Sequence, residues 1–296
     1  MFNAMAPDKA VETEPAQKWL QPIRRRKPAL HPHVVTVHPG EPVRLATVHT
    51  TARLEVKREA AEKSLDRLRP RLAELQQALY AEHRRSLLIV VQAMDTGGKD
   101  GAVKQICHGL DPNGVELTNF KYPSSDEWDH DFLWRVHHAA PRKGSIGIWN
   151  RSHYEDVLVP RVHKQISKRV WRERCEDINA FERLLMRNGV TLLKFFLHIS
   201  KAEQKRRLET RVRDATKLWK FNLGDLKERA LWSEYQHAYE EVMNECTTPE
   251  ARWHIVPADR KWARNLVLIE MIIATLEQMD PQYPATEIDP ATVVIV

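Results

Sequence analysis

The residues best suited to chemistry lie in one glycine-rich stretch, AMDTGGKDGAVK, at positions 93–104. It follows an apolar run and precedes a helical pattern, so its glycines would let backbone N–H groups approach an anion while its lysine adds a positive charge. A Gly-Gly turn with an exposed lysine uses the same residues, but the order of strand, glycines, lysine and helix favours phosphate binding. The predicted phosphate-binding residues here are Gly97, Gly98, Lys99, Asp100, Gly101 and Lys104.

The stretch departs twice from the phosphate-binding pattern G-x-x-x-x-G-K-[ST]. Ala93 stands at the first glycine, and Asp100 stands where a hydroxyl normally holds magnesium. Asp95 lies inside the loop, and because Mg²⁺ prefers oxygen ligands we predict that this carboxylate binds the metal. Asp100 is either a further metal ligand or, as we favour, a negative charge that stabilises the N-terminus of the helix.

A second motif, GIWNRSHYE at 147–155, follows another apolar run. Enzymes with a phosphate loop commonly end such a strand with an aspartate that holds magnesium, but Asn150 and Arg151 stand here. An amide forms hydrogen bonds yet binds metal poorly, and the guanidinium of Arg151 suits either phosphate oxygens or a surface salt bridge. The acidic residues at 126–131 either help to hold metal, contact the acceptor nucleotide or begin a helix. The predicted nucleotide-binding residues are Asp131, Arg135, Asn150 and Arg151.

A third region, KAEQKRRLETRVRDATKLWK at 201–220, carries eight lysines and arginines against three acidic residues, a net charge of +5. Such a run is commonly a solvated helix surface, but this one follows the fourth predicted strand, where enzymes with a phosphate loop place a lid. We predict that at least one of Arg207 and Arg211, which lie on one helical face, contacts phosphate from such a lid. Trp219 beside it stacks on a base or packs in the core. If the helix continued, its neighbouring face would carry Arg206, Arg213, Lys217 and Lys220.

The elements that must position these motifs alternate along the chain. Apolar runs predict five buried strands, at 87–91, 115–120, 146–149, 192–199 and 253–256. Helical patterns separate them, at 102–110, 127–139, 167–188, 201–212, 226–246 and 261–279. The alternation predicts an α/β fold, namely a P-loop kinase-like three-layer α/β/α structure with a parallel sheet of about five strands and a helical basic lid.

The predicted organisation has one catalytic domain. A leucine stripe at 65–79 predicts a helix before the first strand, with Pro70 opening a second helix. Residues 1–50 are rich in proline and lack a sustained period, which predicts an extended or partly disordered arm. The catalytic domain is expected at 51–280 with its lid at about 201–225, and a C-terminal tail at 281–296.

The composition is that of an ordinary globular protein: 296 residues, a net charge of +6 and 42% hydrophobic residues. No apolar run approaches the ~18 residues of a membrane span, and the first residues lack a secretory apolar region. Three widely spaced cysteines form no metal-type pair, and the fourteen histidines show no metal-binding spacing. We therefore expect a reduced, cytoplasmic protein without a membrane partner.

Together these motifs resemble the polyphosphate kinase 2 family. The resemblance covers roughly residues 50–280 and rests on QAMDTGGKDGAVK, HDFLWRVHHAAPRKGSIGIWNRSHYEDVLVPRV and FFLHISKAEQKRRL with the later WKFNLGD. It implies a P-loop kinase fold, often oligomeric, so a homodimer or homotetramer is expected. The implied reaction is reversible, Mg²⁺-dependent phosphoryl transfer between inorganic polyphosphate and nucleoside mono- or diphosphates, with Mn²⁺ as a substitute metal. NRSHYEDVLV is similar to the subgroup acting on both AMP and ADP, and guanine nucleotides are further candidate acceptors.

The resemblance also implies roles for single residues. Asp95 matches the acid that positions metal and phosphate, Lys99 matches the loop lysine, and Arg151 matches the arginine of the second motif. Arg211 best matches the essential arginine of the family's lid. Some members carry an aspartate where this chain has Asn150, and that departure shifts the expected metal binding onto Asp95.

Two other functions fit parts of the sequence. An ATP-dependent kinase of a small nucleoside or phosphorylated metabolite could use the same loop, although the basic track and the missing hydroxyl at position 100 argue against it. A non-catalytic binder of polyanions or nucleic acid could use residues 201–220, but the loop at 93–99 would then have no role. We therefore expect no nucleic-acid partner.

Overall fold

The computed structural model describes residues 31–52, 54–286, 288 and 292–295. Within them, the strands are β1 Val35–Thr36, β2 Ser86–Ala93, β3 Val115–Asn119, β4 Ile146–Asn150, β5 Val190–His198 and β6 Trp253–Pro257. The α-helices are α1 Arg58–Glu82, α2 Lys99–Cys107, α3 Ser125–Trp128, α4 Trp134–His138, α5 Glu155–Val162, α6 Lys168–Arg187, α7 Lys201–Arg213, α8 Gly224–Ala230, α9 Trp232–Glu245 and α10 Lys261–Met279.

The strands form one sheet in the order β1-β6-β5-β2-β4-β3. Strands β2 to β6 run parallel, whereas the two-residue β1 pairs antiparallel with β6. All eight residues of β2 are buried, because helices cover both faces of a parallel sheet. One face packs against α1, α2 and α10, and the other against α5, α6 and α9. The predicted three-layer α/β/α fold is therefore confirmed.

The sheet register brings the predicted motifs to one edge. Val91 of β2 is paired with Asn150 of β4, and Ala93 of β2 is paired with Leu197 of β5. Since these strands are parallel, the segments that follow them meet at the carboxyl edge, where ligands bind in sheets of this kind. The glycine loop, the turn after Asn150 and helix α7 become neighbours in this way.

Two prolines fall inside helices rather than at their ends. α1 runs unbroken through Pro70, so the prediction of a second helix there is wrong. Pro70 and Asp66 are both exposed, and water can bind the Asp66 carbonyl that proline leaves without a donor. The sequence did not predict α5, which contains Pro160. There the freed Asp156 carbonyl accepts a hydrogen bond from Arg174 Nη1 at 2.5 Å.

Two predicted helices are each divided into two shorter ones. The pattern at 127–139 forms α3 and α4, because Asp131 accepts a hydrogen bond from the Leu133 N–H at 2.9 Å in a turn that competes with a continuous helix. The pattern at 226–246 forms α8 and α9, which meet at Leu231. The Leu231 N–H bonds to the Glu228 carbonyl in a tight i→i+3 turn that closes α8.

The lid helix ends within one residue of its predicted end at 212 and does not continue through the rest of the basic segment. α7 stops at Arg213, where Asp214 accepts hydrogen bonds from the N–H and the hydroxyl of Thr216. These local bonds replace the next helical turn. Lys220 therefore ends a short 3-10 turn, Leu218–Lys220, and Lys217 directly precedes it. Neither lysine lies on a continued helix face.

Residues 31–50 of the predicted arm lie against the domain. Val37 and Leu45 are buried in the core. The N–H groups of Val43 and Leu45 donate to side chains of α9, at 2.9 Å and 2.6 Å. A two-residue strand such as β1 is too short to give a periodic sequence signal. Residues 1–30 of the predicted arm, and positions 287, 289–291 and 296 of the predicted tail, lie outside the described residues.

Candidate active site at the carboxyl edge of the sheet

The glycine loop is packed too tightly for larger residues. A Cβ atom on Gly97 would lie 2.5 Å from the Cβ of Ala93, and one on Gly98 would lie 2.6 Å from Arg264 Nη1. Gly98 also has a φ of +96°, which L side chains rarely adopt. These glycines therefore bring the loop backbone against arginine side chains as well as towards the cavity it lines.

Lys99 lies at the start of α2 with its ammonium turned back to the loop. Its Nζ donates to the carbonyls of Ala93 at 2.7 Å and Met94 at 3.4 Å. Burial lowers the pKa of Lys99, while the charges of Asp95 and Glu155 act in the opposite direction. A half-buried cation that is held by carbonyls and lines a cavity is well suited to meet a phosphate oxygen.

Arg151 is held in a backbone conformation that is unusual for arginine. Its φ is +65°, and its N–H donates to the Val91 carbonyl at 3.1 Å. Its Nη2 lies 3.5 Å from Asp95 Oδ1. Burial acts to lower the pKa of Arg151, but the charges of Glu155 and Asp95 outweigh it and the pKa is raised. Strain of this kind is typical of residues that must present a side chain at a functional site.

The turn that carries Arg151 rests on a buried ion cluster. Lys194 Nζ on β5 donates to Glu182 Oε2 at 2.8 Å and to Tyr154 Oη at 3.0 Å. Glu182 Oε1 accepts from Tyr154 Oη at 2.6 Å and lies 3.2 Å from His153 Nε2. We call His153, Tyr154, Glu182 and Lys194 the core ion cluster. It ties the residues directly after Arg151 to α6 and β5.

Asp100 and Asn150, which both stand where a magnesium ligand is usual, bind each other. Asn150 Nδ2 donates to Asp100 Oδ1 at 3.0 Å, and Lys220 Nζ lies 3.7 Å from Asp100 Oδ2. The hydrogen bond from Asn150 is the main cause of the lowered pKa of Asp100. The amide thus joins the end of β4 to the first turn of α2 and keeps Asp100 ionised there.

Two cavities meet at this edge. The larger, of about 520 Å³, is lined by both the glycine loop and α7, and the smaller, of about 200 Å³, lies beside α5, α8 and α9. Asp95, Lys99 and Arg151 line both cavities. The predicted catalytic residues in the two motifs therefore lie at the junction of the two spaces.

The larger cavity is strongly cationic. Besides Asp95, Asp100 and Asp225 it is lined by nine lysines and arginines: Lys99, Arg151, Arg206, Arg207, Arg211, Lys217, Lys220, Lys261 and Arg264. Trp219 also lines it and is 76% exposed, so packing of this side chain in the core is wrong. A row of cations around an open space is a suitable site for a polyanion.

The two candidate lid arginines have different surroundings. Arg207 is buried, pairs with Glu203 at 2.6 Å, and donates to the carbonyls of Gly97 and Ala258. Arg211 is only loosely held, with Nη1 3.4 Å from Asp225 Oδ2. Arg207 therefore supports the loop backbone, whereas Arg211 has a side chain that can turn to a ligand.

The smaller cavity contains acids and tyrosines. Glu155, the first residue of α5, is half-buried, and burial raises its pKa against the opposing charges of Lys99 and Arg151. Glu228 accepts from Tyr235 Oη at 2.6 Å and lies 3.1 Å from His163 Nε2. The sequence interpretation gave Glu155 no role, although it lies four residues after Arg151 in the same motif.

Four predicted ligand-binding residues line neither cavity: Asn150, whose amide binds Asp100, and three residues that lie elsewhere. Arg135 is buried and binds Asp156 at 2.9 Å and the Lys121 carbonyl at 2.8 Å. Asp131 closes the turn before α4, and Lys104 is exposed in the last turn of α2. None of the three lines either cavity. Conversely, sequence reasoning missed Lys261 and Arg264, which are more than 160 residues from the glycine loop.

The described residues contain no cluster of three or more acidic, histidine or cysteine side chains that could hold a metal alone. In the same part of the chain, no helix is both long and apolar enough to cross a membrane. All three cysteines are described, and each is a free thiol.

The parallel sheet, the glycine loop between β2 and α2, and the arginine-bearing α7 define a P-loop kinase-like phosphotransferase fold. The polyphosphate kinase 2 family model matches residues 55–284, and the chain belongs to that family. The fold also matches the crystal structure of polyphosphate kinase 2 from Arthrobacter aurescens TC1, with a TM-score of 0.82 and 39% identity, over 86% of this chain and 92% of that one.

Curated relatives give names for related activities. An AMP/ADP-polyphosphate phosphotransferase from Meiothermus ruber is 46% identical over 83% of this chain and 92% of its own length. An ADP-polyphosphate phosphotransferase from Rhodopseudomonas palustris is 41% identical over 73% of this chain and 79% of its own. An NDP-polyphosphate phosphotransferase from Ruegeria pomeroyi is 31% identical over 74% of this chain and 71% of its own.

Proposed function

We propose that this protein catalyses reversible phosphoryl transfer between inorganic polyphosphate and nucleoside mono- and diphosphates, converting AMP to ADP and ADP to ATP. The observation that carries the proposal is the junction of two cavities at Asp95, Lys99 and Arg151. The similarity to the AMP/ADP-polyphosphate phosphotransferase of Meiothermus ruber supports both acceptors.

The cationic cavity suits the donor chain, and the smaller cavity suits the phosphate end of the acceptor. An oxygen of the acceptor phosphate would attack the terminal phosphorus of the chain, and the phosphoanhydride bond to the next phosphate would break. The shortened chain leaves with the bonding electron pair. Because an anhydride bond is broken and another formed, the reaction runs in both directions.

The protein contributes mainly charge and position, as in other phosphoryl transfers. Lys99 and Arg151 would contact oxygens of the transferred phosphoryl group from the junction, and Arg211 would approach from α7. The pairing of Arg151 with Asp95 orients its guanidinium before substrates bind. The tyrosine side chains of the smaller cavity limit the water around the acceptor phosphate.

The donor set of the junction fits Mg²⁺ or Mn²⁺. Mg²⁺ is commonly held by one or two carboxylates together with substrate phosphates and water, and Asp95 and Glu155 both line the smaller cavity. These two residues would hold the ion, with Asp95 as the principal ligand. When bound, the metal neutralises phosphate charge in the transition state.

The test is a donor and acceptor screen. The purified protein is incubated with Mg²⁺ and either polyphosphate or ATP as donor, with AMP, ADP, GMP or GDP supplied separately. We expect ADP and ATP to form from AMP with polyphosphate. Turnover with ATP as donor but none with polyphosphate would instead support the ATP-dependent kinase.

Asp95→Asn tests the assigned metal ligand. This change removes the charge with little change in shape, so activity should fall by about 10³-fold or more while the unfolding temperature is preserved. Asp66→Asn, an exposed aspartate on α1, is the matched control. Full activity of Asp95→Asn would contradict the assignment.

A further inference from the structure

Four cations from α7 and α10 form one wall of the larger cavity: Arg206, Arg207, Lys261 and Arg264. We call this set the cationic wall. Among the residues that the structure describes, Glu203 is the carboxylate within ion-pair distance of the wall, and it pairs with Arg206 and Arg207 at 2.6 Å each. The wall therefore carries an excess of positive charge facing the cavity.

Arg264 is the most deeply placed member of the wall. It is 2% exposed and donates to the Gly98 carbonyl at 3.0 Å, while Nε and Nη2 donate to the Asn265 side-chain oxygen. A guanidinium has five N–H donors, so these three bonds leave capacity for another acceptor. Its charge is met here by neutral oxygens rather than by a carboxylate.

The local electrostatics disfavour this charge in the free protein. Burial and the charge of Arg207 lower the pKa of Arg264 to about 10. Burial, followed by the charges of Arg207, Arg264 and Arg206, lowers the pKa of Lys261. Both residues also lie in the first turn of α10, the positive end of the helix dipole. An anion at the wall would relieve all of these repulsions.

The position of the wall indicates which anion fits. Arg264 touches the glycine loop, whereas the Lys261 and Arg206 side chains reach the exposed rim of the cavity. A chain held at Lys99 by its transferred end could therefore continue along the wall towards solvent. We propose that Lys261, Arg264 and Arg206 bind a phosphate of the donor chain that is not the one transferred.

This inference deepens the proposed function and rests on it, since the larger cavity is taken as the donor site. It assigns the start of α10 a role in selecting long donors. A short donor such as tripolyphosphate would be held by the glycine loop and would gain little from Lys261. A long chain would gain an additional charge-assisted contact there.

The experiment compares Lys261→Met with wild type across donors from tripolyphosphate to long-chain polyphosphate. Arg260→Met is the matched control, because it removes one charge from the adjacent exposed residue, which lines neither cavity. For Lys261→Met we expect kcat/KM with the long donor to fall about tenfold, the effect of one hydrogen bond to a charged group. The fall with tripolyphosphate should stay below about twofold, and Arg260→Met should match wild type with both donors.

Equal losses with all donors, or no loss with the long donor, would overturn the inference. If wild type itself does not use polyphosphate, the proposed function fails; if wild type is active and Lys261→Met keeps its preference for long chains, only the inference fails. A second readout is the rise in unfolding temperature on adding long-chain polyphosphate without nucleotide. We expect Lys261→Met to show a smaller rise from an undiminished starting temperature, and a lower starting temperature would point to a structural role instead.

Discussion

The core ion cluster and the cationic wall both bury charge, but only the first is neutralised by the protein. In the core ion cluster, Lys194 and Glu182 are buried and pair with each other, while Lys194 also donates to Tyr154 and to the Cys246 carbonyl. In the cationic wall, Arg264 is almost as deeply buried but is met by a carbonyl and an amide. The difference separates a cluster that holds the fold from one that is completed by a ligand.

The largest expected effect is on the core ion cluster. Lys194→Met leaves Glu182 charged and buried, so the free energy of unfolding should fall by about 4 kcal/mol. Urea unfolding monitored by tryptophan fluorescence measures this. Lys168→Met on the exposed start of α6 should have little effect. A loss below about 1 kcal/mol for Lys194→Met would mean that this cluster is not self-neutralised.

The lid arginines provide the next comparison. Arg207→Met removes bonds to loop carbonyls and should lower the free energy of unfolding by about 3 kcal/mol. Arg211→Met should lower kcat by about 10³-fold, the lower end of the range for an arginine that stabilises the phosphoryl transition state. Its free energy of unfolding should change by less than about 0.5 kcal/mol. Paired turnover and unfolding measurements on both variants test the distinction. The reverse pattern would exchange the two roles.

Acid pH should weaken the core ion cluster. Burial acts to raise the pKa of Glu182, but Lys194 and His153 outweigh it and leave the pKa below its usual value. The stabilisation by this carboxylate is therefore complete above about pH 4.3, the ordinary range of an unfolded glutamate, and is lost as the pH falls through the lowered folded value. The difference in unfolding free energy between wild type and Glu182→Gln should shrink over this range. A difference in unfolding free energy that stays constant as the pH falls would contradict the predicted direction of this pH dependence.

The smallest effect concerns the cationic wall in the free protein. Lys261→Met removes a charge that its neighbours and the helix dipole disfavour, so the free energy of unfolding should stay level or rise by less than about 1 kcal/mol. Because the Lys261 side chain is partly exposed, solvent screening limits the gain. Calorimetry without phosphate measures it. Lys194→Met is expected to lower the free energy of unfolding, whereas Lys261→Met is expected to leave it level or raise it. This difference is the most direct test of the comparison between the two clusters.

The sequence predicted the parts of the molecule that carry local signals. The central strand β2 appears as an uninterrupted apolar run at 87–91 because both sheet faces are covered there, and the glycine loop shows its function in its own residue types. It could not predict α5, where Pro160 argues against a helix and the compensating Arg174 bond is tertiary. Lys261 and Arg264 join the site only through folding, although two cations in a first helical turn are a weak signal of an anion nearby.

The packing of α10 has a practical consequence for shortened versions of this protein. A chain ending after β6 would retain the glycine loop, the second motif and the whole of α7, and would satisfy any search for those motifs. It would lack Arg264, whose bond to the Gly98 carbonyl fixes the loop, and the apolar face that covers α1. Every recognisable motif would remain, but the loop would have lost the side chain against which it is shaped.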